Sequence, residues 1–176
     1  MKVNLKKHLS KIREISLNEE KTKGYGGSLK KFVDPLMPRF RLITYKKGPY
    51  LVVDRYSGDE QFIGQSITFY KKRPVLGSNY YGKILDNKLK TDYVYDFLKE
   101  ALRSGKSLQR GLDGYRKGKF LYKNKYTEKD GFVIGEEKIF LNNKQIYFLV
   151  YHEGFIEDRR SLDRWKKNLL TEKPDI

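Results

Sequence analysis

The feature that most constrains the fold is the two-residue period of apolar side chains that begins at Arg39. RFRLITY and YLVVDRY flank the turn KKGP, in which Gly48 and Pro49 supply turn geometry, and their Val, Ile, Tyr and Phe content suits strands. FIGQSITFY and PVLGSNYYG follow, joined by the turn KKRP. Alternation of this kind between short turns predicts antiparallel hairpins.

The segment TDYVYDFLKEALRSG predicts a helix after the first set of strands. Thr91 or Asp92 can cap its start and Gly105 ends it. Four apolar side chains share one face: Tyr93, Phe97, Leu98 and Leu102.

The second half of the chain follows the same order of elements. GKFLYKNKYT, FVIGEEKIFL and IYFLVYHEG predict three strands, and SLDRWKKNLL predicts a helix. Aligning Gly64 with Gly135 gives an offset of 135 − 64 = 71 residues, at which apolar positions coincide strand by strand. The pattern predicts a duplicated βββα unit, with halves at about residues 50–105 and 118–170. The expected fold class is α+β, an antiparallel sheet with helices on one face.

Residues 1–31 differ from the rest of the chain. Leu5, Leu9, Ile12 and Ile15 recur at helical spacing, and a glycine-containing loop follows. We therefore expect a basic N-terminal helix and loop at 1–31 and a single α+β domain at 32–176.

Composition limits the partners. The 176 residues carry a formal charge of +16, which attracts polyanions and makes nucleic acid the leading partner class. The alternative is a lysine-rich surface that only reflects an AT-rich genome. The absence of cysteine excludes disulfides and thiolate metal sites. No signal-peptide core and no run of eighteen apolar residues occurs, so we expect a cytoplasmic protein with no membrane contact.

One hairpin end carries an acid beside one of the two histidines of the sequence. With Asn143 and Lys144 as its turn, Glu137 faces Val150 and lies diagonally beside His152 at the rim of an apolar surface. Partial burial and mutual attraction would then shift the pKa of both groups. The 71-residue offset places three further residues at the matching end of the other hairpin, namely Ser66, Asn79 and Tyr81. The alternative is that the acid and the imidazole only satisfy each other's hydrogen bonds.

Basic side chains are concentrated in two places. KKR at Lys71, Lys72 and Arg73 forms one hairpin turn. RKGKFLYKNK interleaves cations with aromatic rings and contains no acid, which is typical of single-stranded RNA binding but also of a solvated strand face. Its predicted contact residues are Arg116, Lys117, Lys119, Tyr122, Lys123 and Lys125.

Several motifs together resemble a known family. They are NYYG at 79–82, FLKEAL at 97–102, RG at 110–111, GEEKI at 135–139 and YHEG at 151–154. Over about residues 50–156 the chain is similar to an uncharacterised bacterial domain found alone or C-terminal to Xre-type helix-turn-helix regulators. The resemblance implies motif positions but no reaction. Ser66, Leu76 and Glu153 stand where the family usually has Glu, Trp and Gly.

Two functional hypotheses follow. In the first, the protein is directed at RNA or an RNA–protein complex of a phage or mobile element, and it inhibits an RNA-guided nuclease, as small anti-CRISPR proteins do. Any cleavage of guide RNA would need neither metal nor cofactor: Glu137 acts as base, His152 as acid and Arg110 stabilises the phosphorane, beside Tyr81. In the second, the sheet is an effector-binding module in which Glu137 orients a small ligand against Tyr81.

Overall fold

The computed structural model describes residues 32–104 and 114–156. Over these residues the chain forms nine strands and one helix. In chain order they are β1 (Phe32–Val33), β2 (Arg41–Lys47), β3 (Tyr50–Gly58), β4 (Gln61–Tyr70), β5 (Arg73–Ile84), α1 (Thr91–Ser104), β6 (Tyr115–Lys117), β7 (Phe120–Lys129), β8 (Phe132–Leu141) and β9 (Lys144–Phe155).

All nine strands belong to one antiparallel sheet in the order β1-β2-β3-β4-β5-β9-β8-β7-β6. The central pair is β5 with β9, where Tyr80 lies directly opposite Tyr151. Each of the outer hairpins is closed by a short turn, and most of these turns use residues in the left-handed region. The sheet therefore runs without interruption from one half of the sequence to the other.

The fold-class prediction of a duplicated βββα unit in an α+β fold is wrong. Strands account for 65% of the described residues and helix for 12%. The prediction treated each half as three strands covered by its own helix. The central pairing instead merges the halves into one sheet, and β1, β2 and β6 extend it at both edges. The predicted helices at 1–31 and 161–170 lie outside the described residues.

The one described helix packs on a single face of the sheet. Five buried side chains of α1 form its inner surface: Val94, Phe97, Leu98, Ala101 and Leu102. They meet buried side chains of the central and β7–β8 strands, including Ile84, Tyr122, Ile139 and Tyr147. A second, smaller apolar cluster is formed by Tyr50, Val52, Val75 and Leu76.

The two faces of the sheet differ in composition. The helix-bearing face carries α1 and its buried contacts. The opposite face, called the open face below, carries side chains that remain exposed at its centre: Ile63, Tyr81, Ile134, Val150 and His152. Because side chains alternate along each strand, the register of every strand pair decides which residues reach which face.

Candidate functional site

The β8–β9 hairpin turns one residue earlier than its sequence suggests. Asn142 and Asn143, not Asn143 and Lys144, are the central residues, and both have positive φ, at 49° and 65°. Leu141 pairs with Lys144, and a register shift follows between Ile139 and Phe140. Asparagine tolerates the left-handed region better than lysine, so the NN pair makes the tighter turn.

This register separates the predicted acid–base pair. Glu137 lies opposite Leu149 and between β7 and β9 on the helix-bearing face, where it is 0% exposed. His152 lies opposite Asn79 and Ile134 on the open face and is exposed. The prediction that they are diagonal neighbours on one face is therefore wrong, because a one-residue change of register moves a side chain to the other face.

The remaining residues predicted for this pocket divide in the same way. Ser66 is buried on the helix-bearing face, whereas Asn79 and Tyr81 are on the open face with His152. Arg110 lies outside the described residues. The structure thus brings together three of the predicted residues, Asn79, Tyr81 and His152, without the carboxylate.

The centre of the open face is organised in three rows that cross the strands. The first, the lysine row, runs through Lys83, Phe148, Lys138 and Lys123. The second, the apolar row, consists of Ile63, Tyr81 and Val150. The third, the hydrogen-bonding row, consists of Gln65, Asn79 and His152. Neighbouring rows are two residues apart along each strand, or about 7 Å.

Aromatic side chains lie close to one another on this face. The Tyr81 and Phe148 rings have centroids 6.4 Å apart, and the Phe132 and His152 rings 6.1 Å apart. The Tyr81 hydroxyl donates a hydrogen bond of 3.2 Å to Gln61 Oε1, which fixes the end of that side chain. Tyr81 is 40% exposed, so a partner can reach part of its side chain.

The electrostatics of the open face are strongly positive. Its strand positions from β5 to β7 include Lys83, Lys123, Lys125, Lys129 and Lys138, and β6 adds Arg116. The Lys138 ammonium forms an ion pair of 2.8 Å with Glu136. The Lys123 ammonium lies 5.7 Å from the centroid of the Phe140 ring. Most of these cations are solvent-exposed and available to a polyanion.

The predicted basic contacts are placed unequally. Arg116, Lys123 and Lys125 are exposed on the open face. Lys119 lies in the β6–β7 turn. Lys71 and Lys72, with Arg73 beside them, form the β4–β5 turn at the far end of the sheet.

Two of the predicted contacts do not serve this face. Tyr122 is 0% exposed within the α1 cluster and cannot stack on a base, so that prediction is wrong. Its strand register points it to the helix, not to solvent. Lys117 forms an ion pair of 2.7 Å with Glu100 of α1. Hydrogen bonds from Lys117 and then Tyr115 lower the pKa of Glu100.

The helix-bearing face contains a polar band between its two apolar clusters. Tyr80 lies over Gly64 and donates its hydroxyl to both oxygens of Asp54, at 3.0 and 3.2 Å. Tyr151 lies over Gly135 and donates its hydroxyl to Asn124 Oδ1 at 3.2 Å. A Cβ at Gly64 or Gly135 would meet the tyrosine ring at 2.1 or 2.2 Å, so only glycine allows each ring to lie flat on the sheet.

Further polar side chains share this band. They are Ser66, Ser78, Glu137 and Glu153. In residues 32–104 and 114–156, no group of three or more His, Asp or Glu is placed to hold a metal ion. The helix in those ranges is not long and apolar enough to cross a bilayer.

Four residues of the open face were not predicted from the sequence: Lys83, Lys138, Gln65 and Phe132. Each belongs to the open face only because of the strand register. Alternation along β5 and β8 could have grouped Lys83 with Tyr81, and Lys138 with Glu136. Alternation alone could not have predicted that β5 and β8 lie on the two sides of β9.

Comparison with known proteins gives one result. The sequence profile of a family described as a domain of unknown function matches residues 54–156, which covers β4, β5, α1 and β6 to β9 and most of β3. No curated protein and no solved structure matches the chain.

Proposed function

We propose that this chain, which belongs to the DUF5680 family of domains of unknown function, binds single-stranded RNA on the open face of its sheet. One observation supports this most directly. The lysine row lies beside the exposed Tyr81 on the sheet face opposite the described helix, in a chain with charge +16. Cations and exposed aromatic rings in this arrangement are what sequence-tolerant single-strand binders use.

The rows set the distances between the cations and the aromatic ring. Lys83 and Lys123 are separated by three strand spacings, or about 14 Å. Tyr81 lies one row away, about 7 Å along its strand from Lys83. A backbone that follows the lysine row would therefore place an unpaired base over the Tyr81 ring.

An unpaired strand fits this surface better than a duplex. Specific duplex readers insert a helix or a β-ribbon into a groove. Here the cations and the aromatic rings project from the middle of a broad sheet, and within residues 32–104 and 114–156 no element protrudes from this face to enter a groove. Stacking on Tyr81 also requires a base whose face is free, as in a single strand or a loop.

The decisive experiment measures fluorescence anisotropy of a labelled unstructured 12-mer RNA. We expect Tyr81→Ala to weaken binding about tenfold, since stacking is worth roughly 1–3 kcal/mol per base. The matched control is Tyr126→Ala, because Tyr126 is 42% exposed but lies on the helix-bearing face. Equal affinity of the two variants would refute the assignment of the open face.

A charge comparison tests the same face independently. The double variant Lys83→Gln with Lys123→Gln should reduce the dependence of log K on log salt by about 0.7 for each phosphate that the protein no longer neutralises. The control removes the same charge at Lys47 and Lys90, two exposed lysines outside the open face. Single-stranded DNA and duplex RNA of equal length serve as competitors. Stronger binding of the duplex would contradict the proposal.

A second candidate function is binding of a small organic cation in the polar band of the helix-bearing face. It is favoured by the Asp54 carboxylate, which accepts the Tyr80 hydroxyl beside the Tyr80 ring that lies over Gly64. Such groups attract a cation through charge and ring contacts. The test is thermal stabilisation by tetraphenylphosphonium, compared between the wild type and Asp54→Asn. If the wild type is not stabilised, or if Asp54→Asn is stabilised to the same extent, this site is excluded.

RNA cleavage by Glu137 and His152 is not part of the proposal, because the two side chains are on opposite faces of the sheet. Association with Xre-type regulators, and inhibition of an RNA-guided nuclease of a phage or mobile element, stay predictions from the sequence. RNA binding by the open face is compatible with either.

A further inference from the structure

The hydrogen-bonding row lies next to the apolar row, on the side away from the lysine row. Gln65, Asn79 and His152 occupy adjacent strands β4, β5 and β9. Gln65 Nε2 donates a hydrogen bond of 3.0 Å to Asn79 Oδ1. This bond couples the two amides and holds both side chains in one orientation.

The coupled amides leave hydrogen-bonding groups that face outward. Gln65 retains its Oε1 acceptor and one Nε2 proton, and Asn79 retains the two Nδ2 protons. An acceptor and a donor thus stand side by side on neighbouring strands, about 4.8 Å apart at the backbone. Gln65 is exposed and Asn79 half-buried, so both can be reached from solvent.

The position of this pair relative to Tyr81 gives it a role. Asn79 and Tyr81 are two residues apart on β5 and project from the same face. A base that stacks on Tyr81 therefore presents its edge towards Asn79 and Gln65. His152 lies on β9 opposite Asn79, and its ring is close to that of Phe132 on β8. These two rings offer a place for the next base.

We infer that the Gln65–Asn79 pair reads the edge of an unpaired adenine that stacks on Tyr81. This inference rests on the proposed RNA binding. Adenine offers an amino donor at N6 beside a ring-nitrogen acceptor, and asparagine and glutamine amides are its usual partners. Gln65 Oε1 accepts from N6, and Asn79 Nδ2 donates to the ring nitrogen.

The experiment compares 8-mers of adenylate, cytidylate and uridylate with the wild-type protein at one salt concentration. A two-bond amide contact discriminates against a wrong base by roughly five- to 150-fold. We expect adenylate to bind at least five times more tightly than uridylate, with cytidylate, which carries the same donor and acceptor at N4 and N3 on a smaller ring, between the two. Gln65→Met, which keeps the side-chain length and removes its hydrogen bonds, should reduce that ratio towards one, because it weakens adenylate binding more than uridylate binding.

The matched control is Gln145→Met, the same change at a half-buried glutamine near the β8–β9 turn. It should leave the ratio unchanged. Equal affinity of the wild type for all three oligonucleotides, with the Tyr81→Ala effect intact, would refute the inference and leave the proposed function standing. No binding of any oligonucleotide would refute both. A preference for adenylate that survives Gln65→Met would show that other residues read the base.

Discussion

Lys123 and Lys138 lie directly opposite each other on β7 and β8, both on the open face. Like charges in this position destabilise an antiparallel pair. The ion pair between Lys138 and Glu136 offsets part of the repulsion. A polyanion bound along the lysine row would remove the remaining repulsion. The sheet should therefore be more stable when this row holds a polyanion.

This relationship predicts opposite effects of one substitution. Lys123→Gln should raise the stability of the free protein by about 0.2–1 kcal/mol, because it removes the cross-strand repulsion. It should also weaken RNA binding. Urea denaturation and anisotropy on the same samples measure the two effects. Lys90→Gln should change neither, and a loss of stability in Lys123→Gln would contradict the repulsion argument.

The glycines under the tyrosine rings predict a large effect of a single methyl group. Gly64→Ala and Gly135→Ala should each destabilise the protein by roughly 1–3 kcal/mol, since the new Cβ would lie within 2.1 to 2.2 Å of the ring. Gly77→Ala is the control, because its Cβ would meet only the flexible end of Ile156 at 3.3 Å. Thermal unfolding ranks the three variants. Similar losses in all of them would rule out the ring contact as the cause.

The two tyrosine hydroxyls should contribute unequally. Tyr80→Phe removes hydrogen bonds to the Asp54 carboxylate, and Tyr151→Phe removes one to the Asn124 amide. Bonds to a charged acceptor are worth about 1.5–3 kcal/mol and neutral ones about 0.5–1.5 kcal/mol. Denaturant unfolding should therefore show the greater loss in Tyr80→Phe. The reverse order would contradict the ranking by the charge of the acceptor.

The β4–β5 turn predicts a stabilising change. Lys71 and Lys72 both have positive φ, at 47° and 69°, a conformation that costs a non-glycine residue about 1–2 kcal/mol. Replacing the pair by Asn-Gly, the preferred sequence of such turns, should raise the unfolding midpoint. The same replacement at 142–143 should raise the unfolding midpoint by less, because asparagine is already present there. No gain at 71–72 would show that the strain is relieved elsewhere.

Alkaline pH should weaken the fold through Tyr50. Burial, and then the neighbouring Tyr70, raise the pKa of Tyr50 to about 12 from its ordinary value of 10.0. The stabilisation is complete below pH 10.0 and is lost as the pH rises through about 12. Comparing unfolding midpoints at pH 8 and about pH 11.5 should show a smaller alkaline loss in Tyr50→Phe than in wild type. An identical loss would exclude Tyr50 as the responsible group.

Strand positions and turns could be predicted from the sequence because they depend on neighbouring residues. The two-residue period predicted strands β2 to β5 and β7 to β9, and the 3.6-residue period predicted α1. The candidate site could not be found in the same way. Glu137 and His152 were assigned to one face from a regular ladder closed at Asn143 and Lys144. The actual turn is one residue earlier, and the register shift between Ile139 and Phe140 then moves Glu137 to the other face.

The sequence by itself determined which segments extend, which short stretches join them and that the chain is strongly basic, since these follow from local propensity and composition. Only the tertiary structure decided that β5 pairs with β9 and that both halves share one sheet. That pairing places Lys83 in line with Lys138, and Asn79 beside His152. Contacts between residues so distant in sequence depend on the packing of the whole sheet, and a single residue of register exchanges its two faces.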